Sequence, residues 1–471
     1  MVEIINPLKN WALYVFFGAN VPEPEVREAA VQNLLQMATV GSSEHVAVVA
    51  QLHLPGRWAY RYVMPERPPG SDPGAIVPVE TIPNANSADP KTIIKFFEWA
   101  VRKHPACNTI LVVWGHGYGI DDYLPSGAHP NTGADPNTKN EIQVAEYIQP
   151  AEEPRNEDKC DTMKNEATLA ALIEQIPLNR YTRMSIVNVI QDECFREVLP
   201  NVRLGVAASE CQKILQHDGR ELKILALDAC TMAMAEVWCE FGGYAKIGVA
   251  SEAQEPDASF PYDRFLARLI LEPKAEPERV AQMIVDAYVE SYAYQSETFV
   301  TLSACDLTKV VDLEAAVHGL AQALFKVASN PSARAIIFRA RNDSPIFDPD
   351  GFIDLGRFCE ILEHTLPDAE VRKACHKVRH VIKYFVEYAR YSPLDPTLRI
   401  SQTTGLSVWF PPWLENPFVC VPEREASIAY LINGYDCTQF AIKTCWGVFL
   451  RSMWQVGRDC PDSALTTLDA F

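Results

Sequence analysis

Residues 109–117 read TILVVWGHG and residues 222–230 read LKILALDAC. Each begins as a short apolar run without polar alternation, the pattern of a strand buried on both faces. Each ends in residues suited to a turn. In a parallel sheet covered by helices, ligands bind at the carboxyl ends of the strands. His116 and Cys230 both fall at that edge. If the two strands are neighbours, imidazole and thiol face each other across a shallow cleft. That is the arrangement a thiol nucleophile and its proton acceptor need.

The same rhythm extends outward. Residues 11–18 (WALYVFFG), 45–54 (HVAVVAQLHL) and 245–250 (AKIGVA) read as further buried strands. Residues 26–40, 91–103 and 232–241 carry apolar side chains at helical spacing, and Asp89-Pro90 suits a helix start. This alternation predicts an α/β fold, a mostly parallel sheet flanked by helices on both faces. Residues 277–292 and 307–329 read as helices. From about 331 the pattern is mixed: helical over 369–390 and near 440–454, strand-like over 406–410 (LSVWF). The expected organisation is a main domain over 1–330 with an insertion at 121–203, and a smaller C-terminal α+β domain over 331–471 packed on it. Residues 65–89 read as a surface loop. Residues 121–166 are polar and aperiodic, and a loop that long in a compact domain is functional or disordered.

The chain has 471 residues, with 42 Lys+Arg against 61 Asp+Glu, a net charge of −19. That balance argues against general affinity for phosphate backbones and favours basic partners or substrates. The 13 cysteines are odd in number and form no CxxC, so neither a zinc ribbon nor a thioredoxin-type site is expected. Most should be reduced, buried and inert. No stretch approaches 18 apolar residues, and the first twenty residues lack the pattern of a signal peptide, so the expected location is the cytoplasm. P-loop, HExxH and GxGxxG motifs are absent. Cys305, in Ser303-Ala304-Cys305-Asp306, reverses the Asp-Ala-Cys order and reads as core. The aromatics of residues 446–454 read as packing.

The glycines beside His116 fit a ligand edge. Gly115 and Gly117 allow a sharp turn and a close approach to a ligand. The amides of Gly117 and Cys230 could both donate to one oxygen, making an oxyanion hole. Cys230 also reads as opening a helix, whose dipole would favour thiolate. Asp228 lies two residues before the cysteine. Asp257 lies in the loop after the next strand, with Glu252 and Glu255 close by. Such carboxylates would pair with a cationic side chain.

WGHGYG (114–119) and ALDACTMAMAEV (226–237) resemble the His and Cys motifs of the clostripain-like cysteine peptidases, family C11 of the caspase-like clan CD. VASEAQEPDASFPYDRFLARL (249–269) and TGLSVWFPP (404–412) are similar to segments that follow in that family. The resemblance runs from about residue 10 to about 450, with the divergent insertion inside it. It implies a caspase-like fold and a dyad without an obligatory third member, His116 as general base and acid and Cys230 as nucleophile. It implies a P1 pocket lined by Asp228 and an acid in the later loop, here Asp257, giving cleavage of protein substrates after Arg or Lys. It also implies self-cleavage in the insertion, where Lys139, Arg155, Lys159, Lys164, Arg180 and Arg183 are candidates. Calcium binding by some members raises Asp121 and Asp122 as ligands, though EF-hand spacing is missing, and no metal site is otherwise expected. A specific protein target or an activating partner is expected, and analogy with bacterial caspase-like proteases points to defence or cell death. The alternative is a catalytically silent relative that binds a basic peptide or partner through the acidic cleft; a thiol acyltransferase is a third reading.

Overall fold

The computed structural model describes residues 8–67, 76–117, 188–195, 197–293, 299–348, 351–392, 403–411, 435 and 438–456. Strand β1 (Lys9–Gly18) is followed by helix α1 (Pro24–Val40), β2 (Val46–His53), β3 (Trp58–Val63), β4 (Glu80–Pro83), α2 (Pro90–Lys103) and β5 (Ala106–Trp114). A hairpin of β6 (Asn188–Asp192) and β7 (Glu197–Pro200) leads into α3 (Asn201–Gln216) and β8 (Leu222–Asp228). Then come α4 (Ala235–Phe241), β9 (Ile247–Ala250), α5 (Tyr262–Leu271), α6 (Pro277–Tyr292), β10 (Thr301–Asp306), α7 (Val310–Val327) and α8 (Pro331–Asp343). The remaining elements are β11 (Ile346–Asp348), β12 (Phe352–Asp354), α9 (Leu355–Thr365), α10 (Ala369–Phe385), β13 (Val386–Tyr391), β14 (Ser407–Trp409), α11 (Gln439–Thr444) and α12 (Trp446–Val456).

One nine-stranded sheet organises the molecule, in the order β13-β10-β9-β8-β5-β1-β2-β3-β4. The stretch β9-β8-β5-β1-β2 is parallel, and antiparallel strands finish both edges. The parallel strands read as unbroken apolar runs because each feeds two cores. Ala12, Tyr14 and Phe16 of β1 pack on one face, and Trp11, Leu13, Val15 and Phe17 on the other. Leu111 and Val113 of β5 face the first core; Ile110, Val112 and Trp114 face the second. Each such fully buried side chain stabilises by roughly 1.5–3 kcal/mol. A polar residue within Trp11–Phe17 or Ile110–Trp114 would therefore be costly.

The helix starts follow their sequence signals. Asp89 caps α2 by accepting from the Lys91 amide at 3.0 Å, with Pro90 in the first turn. Ile93, Ile94, Phe96, Phe97, Ala100 and Val101 of α2 are buried against the sheet.

Several boundaries differ from the expectations. The stretch 201–203, expected within the insertion, opens α3, which connects β7 to β8 and buries Leu204, Ala207, Ala208, Cys211 and Leu215. Its small residues give a weak periodic signal. β4 falls within the expected 65–89 loop. The helix expected over 369–390 stops at Phe385, and residues 386–391 pair with β10 instead. This pairing also corrects the domain expectation, because the sheet does not break at 330/331: β13, from the expected C-terminal domain, is its edge strand. β11, β12 and β14 form a separate three-stranded sheet. It is tied to the main body by the Ser407 amide, which donates to the Ala233 carbonyl at 2.9 Å. Cys445, in the left-handed region at φ 57°, divides the helix expected near 440–454.

Candidate active site

β5 and β8 are adjacent and parallel, with Trp114 opposite Asp228. Their chains leave the sheet together. The Gly115 amide donates to the Asp228 carbonyl at 3.2 Å, and the Cys230 amide donates to the His116 carbonyl at 3.1 Å. Gly117 has a φ of +64°, and a Cβ there would lie 2.5 Å from both the nitrogen and the carbonyl oxygen of Cys230. Only glycine lets the two loops touch, so any side chain at 117 would push the histidine loop off the cysteine loop. The backbone of His116 is thus pinned to that of Cys230.

The same contact alters the oxyanion expectation. The Cys230 amide is committed to the His116 carbonyl, so it reaches a substrate oxygen only by giving up that bond. The helix expectation is also corrected. α4 begins at Ala235, beyond a turn in which Thr231 takes a φ of 56°, and has seven residues. Its dipole does not act on the thiol.

The Cys230 thiol is instead set by a loop. The Glu255 amide donates to Sγ at 3.2 Å. Burial pushes the thiol pKa up, and the nearby charges of Asp228 and Asp257 add to this, while the Glu255 amide opposes it. In this state the sulfur is a half-buried thiol.

Asp228 is buried at the end of β8. Its carboxylate accepts from the Tyr262 hydroxyl at 2.7 Å, from the Phe260 amide at 3.2 Å and from the Ser259 hydroxyl. Burial nevertheless pushes its pKa up to about 6, with these donors opposing. The second acid beside it is Glu255. Both carboxyl oxygens of Glu255 are buried without an N–H or O–H donor, and Asp228 is its polar neighbour. Burial and the Asp228 charge raise the Glu255 pKa well above the carboxylate range. The pair therefore shares a proton. It sits on Glu255, because Asp228 has the donors that favour a charge. Asp257, the acid expected to partner Asp228, is exposed, although its charge is felt at the thiol.

Glu23 joins the site without any sequence signal. It is the residue before α1, and its Oε2 lies 3.3 Å from His116 Nε2. The two are 93 residues apart in the chain, so no local motif could link them. Among the described residues no three His, Cys, Asp or Glu side chains gather as a metal site would require. Asp121 and Asp122 lie outside the described residues, as do Lys139, Arg155, Lys159, Lys164, Arg180 and Arg183. All nine described cysteines are free thiols, and Cys305 is core. Trp446 is buried against Phe358, Phe410 and Phe449, as expected of packing. Among the described residues no helix is long and apolar enough to cross a membrane.

The sequence model of the clostripain family, Peptidase_C11, matches residues 198–450. No curated protein matches the chain. Among solved structures, the inactive zymogen C11 protease of Parabacteroides distasonis is 15% identical, with a TM-score of 0.57 over 93% of this chain and 99% of that one. The secreted C11 cysteine protease of Bacteroides thetaiotaomicron called iotapain is 12% identical, with a TM-score of 0.58 over 93% of this chain and 100% of that one. A secreted C11 cysteine protease from the same organism, in complex with an irreversible peptide inhibitor, is 15% identical, with a TM-score of 0.55 over 91% and 99%. At these identities the likeness is one of fold: a mostly parallel sheet flanked by helices, as in caspase-like proteases.

Proposed function

Since this chain belongs to the clostripain family of cysteine peptidases, we propose that it cleaves protein substrates after Arg or Lys, with Cys230 as nucleophile and His116 as general base and acid. The observation that carries the reading is the junction of β5 and β8. It fastens the His116 loop to the Cys230 loop and sets a buried carboxyl pair, Asp228 and Glu255, behind the thiol.

The reaction follows from the groups present. His116 takes the proton of the Cys230 thiol. The thiolate forms a bond to the scissile carbonyl carbon, and the negative charge moves to the oxygen. Amide donors aimed at that oxygen stabilise it, with Gly117 and Cys230 as the proposed pair. The Cys230 amide leaves the His116 carbonyl to do so. His116 then gives its proton to the leaving amine as the C–N bond breaks. A water, deprotonated by His116, hydrolyses the thioester and restores the thiol. Thiol and imidazole supply the proton transfers, so the scheme calls for no metal.

The P1 preference rests on charge. A guanidinium or ammonium entering beside Asp228 meets a carboxylate already ionised and a second carboxyl ready to lose its proton. Asp257 adds a third negative group at the rim. The protonated, half-buried thiol held by the Glu255 amide fits a resting enzyme. Self-cleavage at a basic residue of the 121–203 insertion would suit this specificity, and purified Cys230→Ala should then stay full length while the parent chain is nicked.

Fluorogenic peptides ending in Arg, Lys or Asp, assayed with the parent chain and Cys230→Ala, test the proposal. Turnover of the Arg and Lys peptides that disappears in Cys230→Ala supports it. Preference for Asp would overturn the pocket assignment, and turnover unchanged in Cys230→Ala would overturn the nucleophile.

A further inference from the structure

The residue before α1 has an unusual task. Four other helices, α2, α8, α9 and α10, are capped by an Asp or Asn side chain that accepts from an amide of its own first turn. Glu23 occupies the corresponding position before α1 and makes no such bond. Glutamate is too long to be a favoured cap. Its carboxylate reaches across the edge of the sheet to His116 Nε2, at 3.3 Å. The ring accounts for the largest part of a lowered Glu23 pKa, so the group is ionised at neutral pH. The positive end of α1 favours the same charge.

The sheet order gives this contact its meaning. β1, β5 and β8 are consecutive neighbours, and all three run parallel. Their carboxyl ends deliver Glu23, His116 and Cys230 in that spatial order. An acid, a base and a nucleophile in a row are the parts of a triad, in which the third group orients the base. A ring whose Nε2–H donates to Glu23 is left with Nδ1 to accept a proton. The backbone of His116 is already tied to Cys230, and the Glu23 contact restrains the ring.

We infer that Glu23 is a positioning residue for His116, completing an acid–base–thiol series where a dyad was expected. It fixes the tautomer with the proton on Nε2 and offsets the positive charge that appears on the ring when Nδ1 takes the thiol proton. Both Glu23 and the ring are partly open to water, with side-chain exposures of 48% and 20%. The effect is therefore screened and falls well short of a buried triad acid.

The inference rests on the dyad reading above, so its test has one readout from turnover and one from the thiol alone. In Glu23→Gln the side-chain oxygen remains and the charge is lost. Turnover of an Arg peptide should fall about tenfold in kcat with KM nearly unchanged, and Glu23→Asp should recover part of the loss. Alkylation of Cys230 by iodoacetamide at neutral pH, followed on the Cys230 peptide by mass spectrometry, should slow by a similar factor. Thermal melting separates a folding defect from a positioning one. If Glu23→Gln melts normally and both rates stay within twofold of the parent, or if either rate rises, Glu23 does not position the ring. If the parent chain turns over no peptide while its Cys230 alkylation still depends on Glu23, the peptidase reading fails and the positioning role stands.

Discussion

The loop after β9 carries two buried carboxyl pairs three residues apart, and they are built differently. Glu255 pairs with Asp228 behind the thiol; Glu252 pairs with Asp354, the last residue of β12 in the three-stranded sheet. Asp354 caps α9 through the Arg357 amide and also holds the Thr404 hydroxyl at 2.9 Å. The backbone of Glu252 is fastened to Thr301 Oγ1 at 3.0 Å. That pair is a joint, locked from both sides by hydrogen bonds with Thr301, Arg357 and Thr404. Glu255 instead offers its main chain to the cysteine and its carboxyl to Asp228, with no further donor. Burial raises all four pKa values. A shifted carboxyl therefore does not by itself mark a site; what separates the pairs is that neither carboxyl oxygen of Glu255 has a donor, whereas only Oε1 of Glu252 lacks one.

The comparison is broken most sharply at Asp228. In Asp228→Asn the remaining side-chain oxygen can accept from Ser259 and Phe260, the new amide group can donate to the Tyr262 hydroxyl oxygen, and the charge is lost. The expected fall in kcat/KM for Arg and Lys peptides is roughly 100- to 1000-fold, carried mainly by binding, as when one partner of a buried charge pair is removed. A peptide ending in an uncharged residue should lose less than about threefold. Equal losses on both peptides would make Asp228 a structural acid like Asp354.

Asp354→Ala should do the reverse. It removes a helix cap and the bonds from the Thr404 amide and hydroxyl, leaving Glu252 buried beside a gap. The expected loss is about 3 kcal/mol of unfolding free energy, read by urea denaturation. Among molecules still folded, KM for an Arg peptide should change less than about threefold. A large rise in KM with little loss of stability would move this pair into the site.

The difference between these pairs also shows what a sequence can reveal. β5 and β8 were legible because strands buried on both faces must be apolar throughout. His116 and Cys230 were legible because they stand where those runs stop. Asp228 was legible through its position beside the cysteine. Glu23 was not, since its contact with His116 arises where chain segments far apart in sequence meet at the sheet edge, and Glu255 was read only as one of the acids near Asp257. Asp257 read as the better candidate, but the loop turns its side chain outward and Glu255 inward. β13 was hidden because residues 386–391 continue a helical pattern and become a strand only by pairing with β10. The helix at Cys230 was expected too early because MAMAEVWCEF has helical spacing, whereas the turn at Thr231 delays its start to Ala235.

Glu255→Gln sharpens the pocket at smaller cost. The carboxyl loses its ionisable proton but keeps its shape, so the amide cannot take up the charge that a bound guanidinium would draw from Glu255. KM for an Arg peptide should rise about tenfold, with melting unchanged or slightly higher. A KM within twofold of the parent would leave Asp228 as the sole inner acid, and then Asp257→Asn becomes the informative variant.

The smallest effect is in pH. Burial raises the Asp228 pKa from 3.8 to about 6 in the folded chain. Between these values the folded state holds more protons than the unfolded one, so this group's contribution is most favourable below about pH 4 and is lost as pH rises toward 6. Binding of a cation runs the other way, because it needs the charged form. KM for an Arg peptide should therefore rise about threefold to fourfold as pH falls from 7 to about 5.5, while KM for an uncharged P1 stays level. Asp228→Asn should flatten the Arg profile over that range. If the parent profile is already flat, the Asp228–Glu255 proton plays no part in recognising a basic side chain, and the two pairs on this loop are the same kind of joint.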